Sequence, residues 1–304
     1  MFSEGIKDHN TFAQLHPVVT TAWFLLVTGV TMFSNAPWVL GLSLVLATVY
    51  RILLNGKKDL KGSIILIVGA TVLVTLINGL FTHNGATVLF YIGSNRITWE
   101  AFAYGLGMSM MFSAVAQWLI CFSVITTSDK MIYVFGAVLP VIGLVLSIIF
   151  RSIPLLRKRF SEIDAAQKAM GRGQSKGLIR KGRQLIKEIS ILTAWSLEAS
   201  IDTADSMTAR GYGLHGRTSF HLYRFEQRDF LSLVYIAALA AAVITGCIKN
   251  ASRIYYYPTI RTNISTMSEA GRILFMAAFI LLLIFPVLTD VFGEYAWRKY
   301  ESTI

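Results

Sequence analysis

Long apolar runs alternate with short polar breaks along the chain, and the run lengths alone predict helices. Residues 18–33 are apolar, Ser34-Asn35-Ala36-Pro37 interrupts them, and a second run covers 38–54. Further runs occupy 64–81, 99–125, 230–248 and 273–291. A bilayer crossing takes roughly 20 residues, so these runs predict six transmembrane helices, the first of them short. Residues 131–150 are equally apolar. A crossing there would carry the basic block from Arg151 to Lys187 outside, against the preference of Lys and Arg for the cytoplasmic face. The segment is therefore expected to be tilted or interfacial, with bends at Gly136, Pro140 and Gly143.

Beyond this segment the period changes. Ser152 offers a helix cap, Pro154 fits a first turn, and Ile153, Leu156, Phe160, Ile163 and Met170 recur every three or four residues. This predicts an amphipathic helix closed by Gly171, followed by a basic, glycine-rich linker to Gly177. A second amphipathic helix has Leu185, Ile189 and Leu192 on its apolar side. It ends where Arg210 meets the carbonyl end of the dipole and Gly211 can turn left-handed. The pattern divides the chain into membrane helices over 1–130, a cytoplasmic or interfacial region over 131–229, and membrane helices again over 230–304. The fold class is an all-α integral membrane protein with two long amphipathic cytoplasmic helices.

Composition agrees with that class. The 304 residues are 54% hydrophobic and 15% charged, and the mean hydropathy of +0.57 is too high for a soluble domain. The net charge of +11 does not indicate nucleic acid, because the basic residues cluster beside apolar spans, as at a cytoplasmic membrane surface. Arg51, Lys57, Lys58 and Lys61 against Asp59 place the second loop inside, and with it both termini. The connections 34–37, 82–98 and 249–272 are then external, although Lys249, Arg253 and Arg261 go against the charge rule. Residues 1–17 lack the apolar core of a signal peptide, so the first span is expected to direct insertion. Cys121 and Cys247, each in an apolar run, are expected to be packed thiols.

Candidate chemistry is sparse. Glu198, Asp202 and Asp205 fall on one helical face. The stretch from Asp202 to Arg210 resembles the first half of the CDP-alcohol phosphatidyltransferase motif, whose aspartates hold magnesium. Ser206 stands where that family has glycine, and Ser219, Tyr223 and Gln227 stand where the later Gly, Asp and Asp belong. No phosphate-cradling loop is present, so ATP hydrolysis is not expected of this chain. The histidines, His83 included, show no metal-ligand spacing, and neither a metal nor another cofactor is expected. Asn78 is expected to bond a neighbouring helix. Arg96 and Glu100 are expected to be solvated, and the spans to hold no buried acid or base, against a proton-driven carrier.

Several short stretches in order carry a family resemblance: Leu15-His16-Pro17, Thr126-Thr127-Ser128, Ile153-Pro154-Leu155-Leu156, Ala166-Gln167 and Ala209-Arg210-Gly211-Tyr212. The chain resembles the transmembrane coupling (T) component of energy-coupling factor transporters, which are ABC transporters. The resemblance implies two coupling helices, each ending in a small-Arg-small triplet docked on an ABC-type ATPase subunit. It also implies a separate substrate-binding (S) membrane protein and uptake of a vitamin or metal ion. Ala209, Arg210 and Gly211 form the second triplet. The first departs from the pattern, being Ala169, Met170 and Gly171, with Arg172 as a substitute cation. The last crossing extends beyond the matched pattern. A phosphatidyltransferase-like enzyme and a stand-alone permease are the alternatives.

Overall fold

The computed structural model describes residues 10–56, 59–92, 95–171, 177–212, 223–261 and 266–301. Its helices are α1 (Thr11–Gln14), α2 (Pro17–Phe33), α3 (Pro37–Asn55), α4 (Leu60–Phe81), α5 (Trp99–Ile125), α6 (Ser128–Val138), α7 (Pro140–Ala169), α8 (Leu178–Ala209), α9 (Gln227–Ile248) and α10 (Glu269–Glu301). An antiparallel hairpin of β1 (Val88–Ile92) and β2 (Asn95–Thr98) lies between α4 and α5. The apolar pattern does not predict these strands. Among the described residues five helices are long and apolar enough to cross a membrane: α3, α4, α5, α9 and the Glu269–Gly293 part of α10. The sixth expected span, α2, is apolar but has 17 residues, about 25 Å of helix against a hydrocarbon core of about 30 Å. The chain divides into two compact units, Met1–Thr127 with Tyr223–Ile304, and Ser128–Leu222.

In the first unit, Pro17 and Pro37 open α2 and α3, where a missing N–H costs nothing. Lipid offers little hydrophobic drive between helices, so close packing and hydrogen bonds must hold them. The core is aromatic: the ring of Trp23 meets Phe12 edge-on at 5.4 Å and Trp118 at 5.3 Å. Each indole N–H is satisfied, Trp23 donating to the Leu282 carbonyl at 2.9 Å and Trp118 to Ser43 Oγ at 2.9 Å. Gly105 lets α5 approach α4, since a Cβ there would lie 3.0 Å from the Thr75 Cα. Asn78 bonds its own helix rather than a neighbour, donating to the Val74 carbonyl at 3.1 Å. Cys121 is a buried free thiol and Cys247 a half-buried one.

Buried ionisable groups correct the expectation that the spans hold none. Arg51, Glu100 and Asp229 are each less than a tenth exposed. Arg51 donates to Asp59 at 2.6 Å and to Gln117 Oε1 at 3.0 Å. Hydrogen bonds from Arg51 and from Asn55 hold the Asp59 carboxyl below the usual carboxylate range. Glu100 is not solvated; it accepts from the Thr87 hydroxyl at 2.6 Å and from the Thr87 N–H at 3.1 Å. His16 is likewise buried and caps α2.

The three connections expected outside meet one another. Ser252 O accepts the N–H groups of Asn35 and Ala36, both at 3.0 Å, and Pro258 O accepts that of Ala86 at 3.0 Å. Tyr256 completes the cluster by donating to the Asn35 carbonyl at 3.0 Å.

In the second unit the bend expected at Pro140 is a full break. Leu139 takes an extended conformation (φ −136°, ψ 95°), as a residue before proline is pushed to do, and Pro140 starts α7. Gly136 and Gly143 let α6 and α7 pack backbone to backbone, a Cβ on Gly143 falling 2.5 Å from the Gly136 Cα. The cap expected at Ser152 does not form. Residues 140–169 make one helix that contains Pro154, and the Ser152 hydroxyl donates back to the Ile148 carbonyl at 2.7 Å.

Candidate functional site

The two expected triplets close α7 and α8 with one backbone design. Met170 (φ −77°, ψ 10°) and Arg210 (φ −85°, ψ 5°) are the C-caps. Each is followed by a left-handed glycine, Gly171 at φ 76° and Gly211 at φ 73°, a conformation that a Cβ disfavours. The Gly171 N–H bonds the Lys168 carbonyl at 3.0 Å, and the Gly211 N–H bonds that of Thr208 at 3.0 Å. At α8 a further bond runs from the Tyr212 N–H to the Met207 carbonyl at 3.0 Å, completing a Schellman cap. Ala169, Met170, Ala209 and Arg210 are exposed. Arg172 lies outside the described residues.

Side chains set the register of the two helices. The Arg159 guanidinium lies 4.9 Å over the Trp195 ring, a cation–π contact. Toward the end of α7, Asp164 pairs with Lys168 at 2.7 Å and raises its pKa, with a smaller contribution from Glu188 of α8. As the chain advances from 159 to 168 its neighbours retreat from 195 to 188, so the helices are antiparallel. The end of α7 therefore lies beside the early part of α8. About 20 residues separate that level from Ala209, which puts the two triplets about 30 Å apart along the α8 axis.

Glu188 is buried and accepts from Gln184 Nε2 at 2.9 Å, a pairing one helical turn apart that sequence reading passed over. The Arg159–Trp195 contact was also missed, although a tryptophan in so polar a helix was its signal. Of the apolar side expected for α8, Leu185 and Ile189 are about half exposed and Leu192 is half-buried, while Leu197 and Ile201 are exposed on a different side of the helix. On α7, Val141, Ile153 and Leu155 are exposed. Glu198, Asp202 and Asp205 are also exposed, on the last turns of α8. Among the described residues no group of three or more His, Cys, Asp or Glu is placed to hold a metal.

Such an arrangement defines a class: a polytopic helical membrane protein carrying a pair of long antiparallel amphipathic helices that end in exposed, glycine-closed tips. Residues 8–222 match the CbiQ cobalt transport protein family, and the chain belongs to that family. It is a transmembrane component of energy-coupling factor transporters. A protein described as energy-coupling factor transporter transmembrane protein EcfT, from Streptococcus equi subspecies equi, is 30% identical over 212 residues, covering 66% of this chain and 75% of the relative. The Streptococcus thermophilus protein of that name is 32% identical over 171 residues (52% of this chain, 65% of the relative). That of Listeria innocua is 34% identical over 185 residues (56% and 68%). The family match stops before α9, so both final helices lie beyond it, one more than the sequence suggested.

Proposed function

We propose that this chain couples two ABC-type ATPase subunits to a separate substrate-binding (S) membrane protein, powering uptake of a vitamin or metal ion. The carrying observation is the pair of tips with one backbone design, about 30 Å apart by helix rise. Two exposed sites so far apart suit two partner subunits better than one. ATP hydrolysis belongs to those partners. When ATP draws them together, grooves that hold the tips carry the ends of α7 and α8 with them, and the helices pass the motion to the S protein.

The tips differ in chemistry. Arg210 offers a planar fork to an acidic groove, where a charged hydrogen bond contributes about 1.5–3 kcal/mol. Met170 offers a flexible apolar contact, and Arg172 is the candidate for the missing cation. Residues 131–229 form the coupling region between membrane parts 1–130 and 230–304, with both termini cytoplasmic. The exposed apolar residues of α7 and α8, Val141, Ile153 and Leu155 on one and Leu185, Ile189 and Leu197 on the other, support gripping of the S protein.

Co-purification from solubilised membranes tests this. Wild-type protein should bring ABC ATPases with it, and Arg210→Glu should lose them or retain half. If neither protein brings an ATPase while both remain folded, the coupling role is wrong. If Arg172→Glu leaves assembly and ATP-driven uptake untouched, Arg172 is no substitute.

A further inference from the structure

A groove of about 370 Å³ lies between α2 and α9. Leu25, Gly29 and Phe33 line it from α2, Ile244 and Ile248 from α9, and Arg253 from the connection that follows. Its walls are open: Leu25 is 69% exposed, Phe33 70% and Ile248 73%. The space beside Gly29 is open, since a Cβ there would meet nothing within 4 Å. The polar end is fixed, because Ser252 O holds the backbone of Asn35 and Ala36 immediately after α2. Arg253 therefore sits at the mouth of an apolar slot, at the level where the helices stop and polar connections gather.

Charge selects the occupant. Arg253 is exposed and enters no ion pair among the described residues. From Lys249 to Ser268 the sequence has Lys249, Arg253 and Arg261 and no acidic residue. This connection also goes against the charge rule that the other external loops obey. An apolar slot with a cation at its rim matches a molecule with a hydrocarbon tail and an anionic head. A groove of this volume lies within the usual range of ligand sites. We propose that the α2–α9 groove binds an anionic phospholipid, with an acyl chain along Gly29 and the phosphate at Arg253. The lipid fills the gap beside the shortest membrane helix and supplies the negative charge that the loop lacks.

Native mass spectrometry of the full-length, delipidated protein tests this, with phosphatidylglycerol and phosphatidylcholine of identical acyl chains as probes. One cation near an anionic headgroup predicts a preference for phosphatidylglycerol of about fivefold at the tightest site. Arg253→Gln should abolish the preference, Lys249→Gln should retain it, and Gly29→Leu should weaken the binding of both lipids. The Gly29→Leu protein is compared only if its thermal transition matches wild type; otherwise Gly29→Ala, a smaller filling, takes its place. Equal binding of the two lipids by wild type, or an unchanged preference in Arg253→Gln, would overturn the proposal. Lipid binding untouched by filling at position 29 would also overturn it. A photo-crosslinker at Phe33 that captures a protein instead of lipid in intact membranes would give the groove to a partner helix.

Discussion

Asp229 Oδ1 accepts the backbone N–H of His16 at 3.0 Å, tying the start of α9 to the entrance of α2 across 213 positions. The other oxygen accepts the N–H of Glu226 at 3.1 Å, within a capping box. One buried carboxylate thus begins one helix and anchors another. Asp229→Ala strands two donors, each costing about 1–3 kcal/mol. Asp229→Asn retains one acceptor oxygen and should lose roughly half as much. Thermal unfolding in detergent should rank wild type above Asn above Ala, and equal losses would show that the shared carboxylate is not the cause.

His16 gives this junction a pH dependence. Its Nδ1 accepts the Val18 N–H at 3.4 Å, which requires an unprotonated nitrogen. Burial lowers the imidazole pKa below the ordinary 6.5, and nearby Asp229 opposes that only in part. The folded state thus holds fewer protons than the unfolded chain, and stability rises with pH through this window. The contribution is complete above pH 6.5 and declines as pH falls from there through the depressed folded value. His16→Asn, with a cap that does not titrate, should flatten the melting-temperature profile between pH 5 and pH 7.

Gly136 and Gly143 face each other but are not equivalent. A Cβ on Gly143 would lie 2.5 Å from backbone, whereas one on Gly136 would lie an ordinary 3.4 Å from the Gly143 Cα. Gly143→Ala should therefore pry α6 from α7 at a cost of about 1–3 kcal/mol, while Gly136→Ala is close to neutral. Protease sensitivity of the α6–α7 break, measured side by side, reads the difference.

At Gly171 the constraint is torsional, because nothing within 4 Å opposes a Cβ. Alanine at its positive φ costs about 1 kcal/mol, and asparagine costs less. Amide exchange in the last turn of α7 should quicken severalfold in Gly171→Ala and change little in Gly171→Asn. The same acceleration in both variants would remove backbone conformation as the reason for the glycine.

The membrane helices were legible because lipid leaves a run of apolar residues few structural choices. The helix stops at Gly171 and Gly211 were legible because only glycine takes that φ cheaply. Glu100 and Asp229 were not, since nothing local tells a helix-end carboxylate in water from one that another segment covers. Thr87 and His16, 13 and 213 positions away, decide the matter. Ser152 misled for a related reason: its cap reading required Pro154 to lie in a first turn, whereas α7 runs through both. Arg51 looked like a loop cation until Gln117, on a different helix, was placed beside it.

The partners of Phe12 and Trp23 set a timetable for biogenesis. The Phe12 N–H is received by Asp290 at 2.8 Å, and the Trp23 indole by the Leu282 carbonyl, 278 and 259 positions downstream. At about 5–20 residues per second, the ribosome delivers those acceptors on the order of tens of seconds after α2 has emerged. Nascent chains arrested before Glu269 should show a Trp23 accessible to quenchers, and chains arrested well past Asp290 a shielded one. Insertion of α2 into the bilayer and completion of the packing around Trp23 are then separate events in the synthesis of this chain.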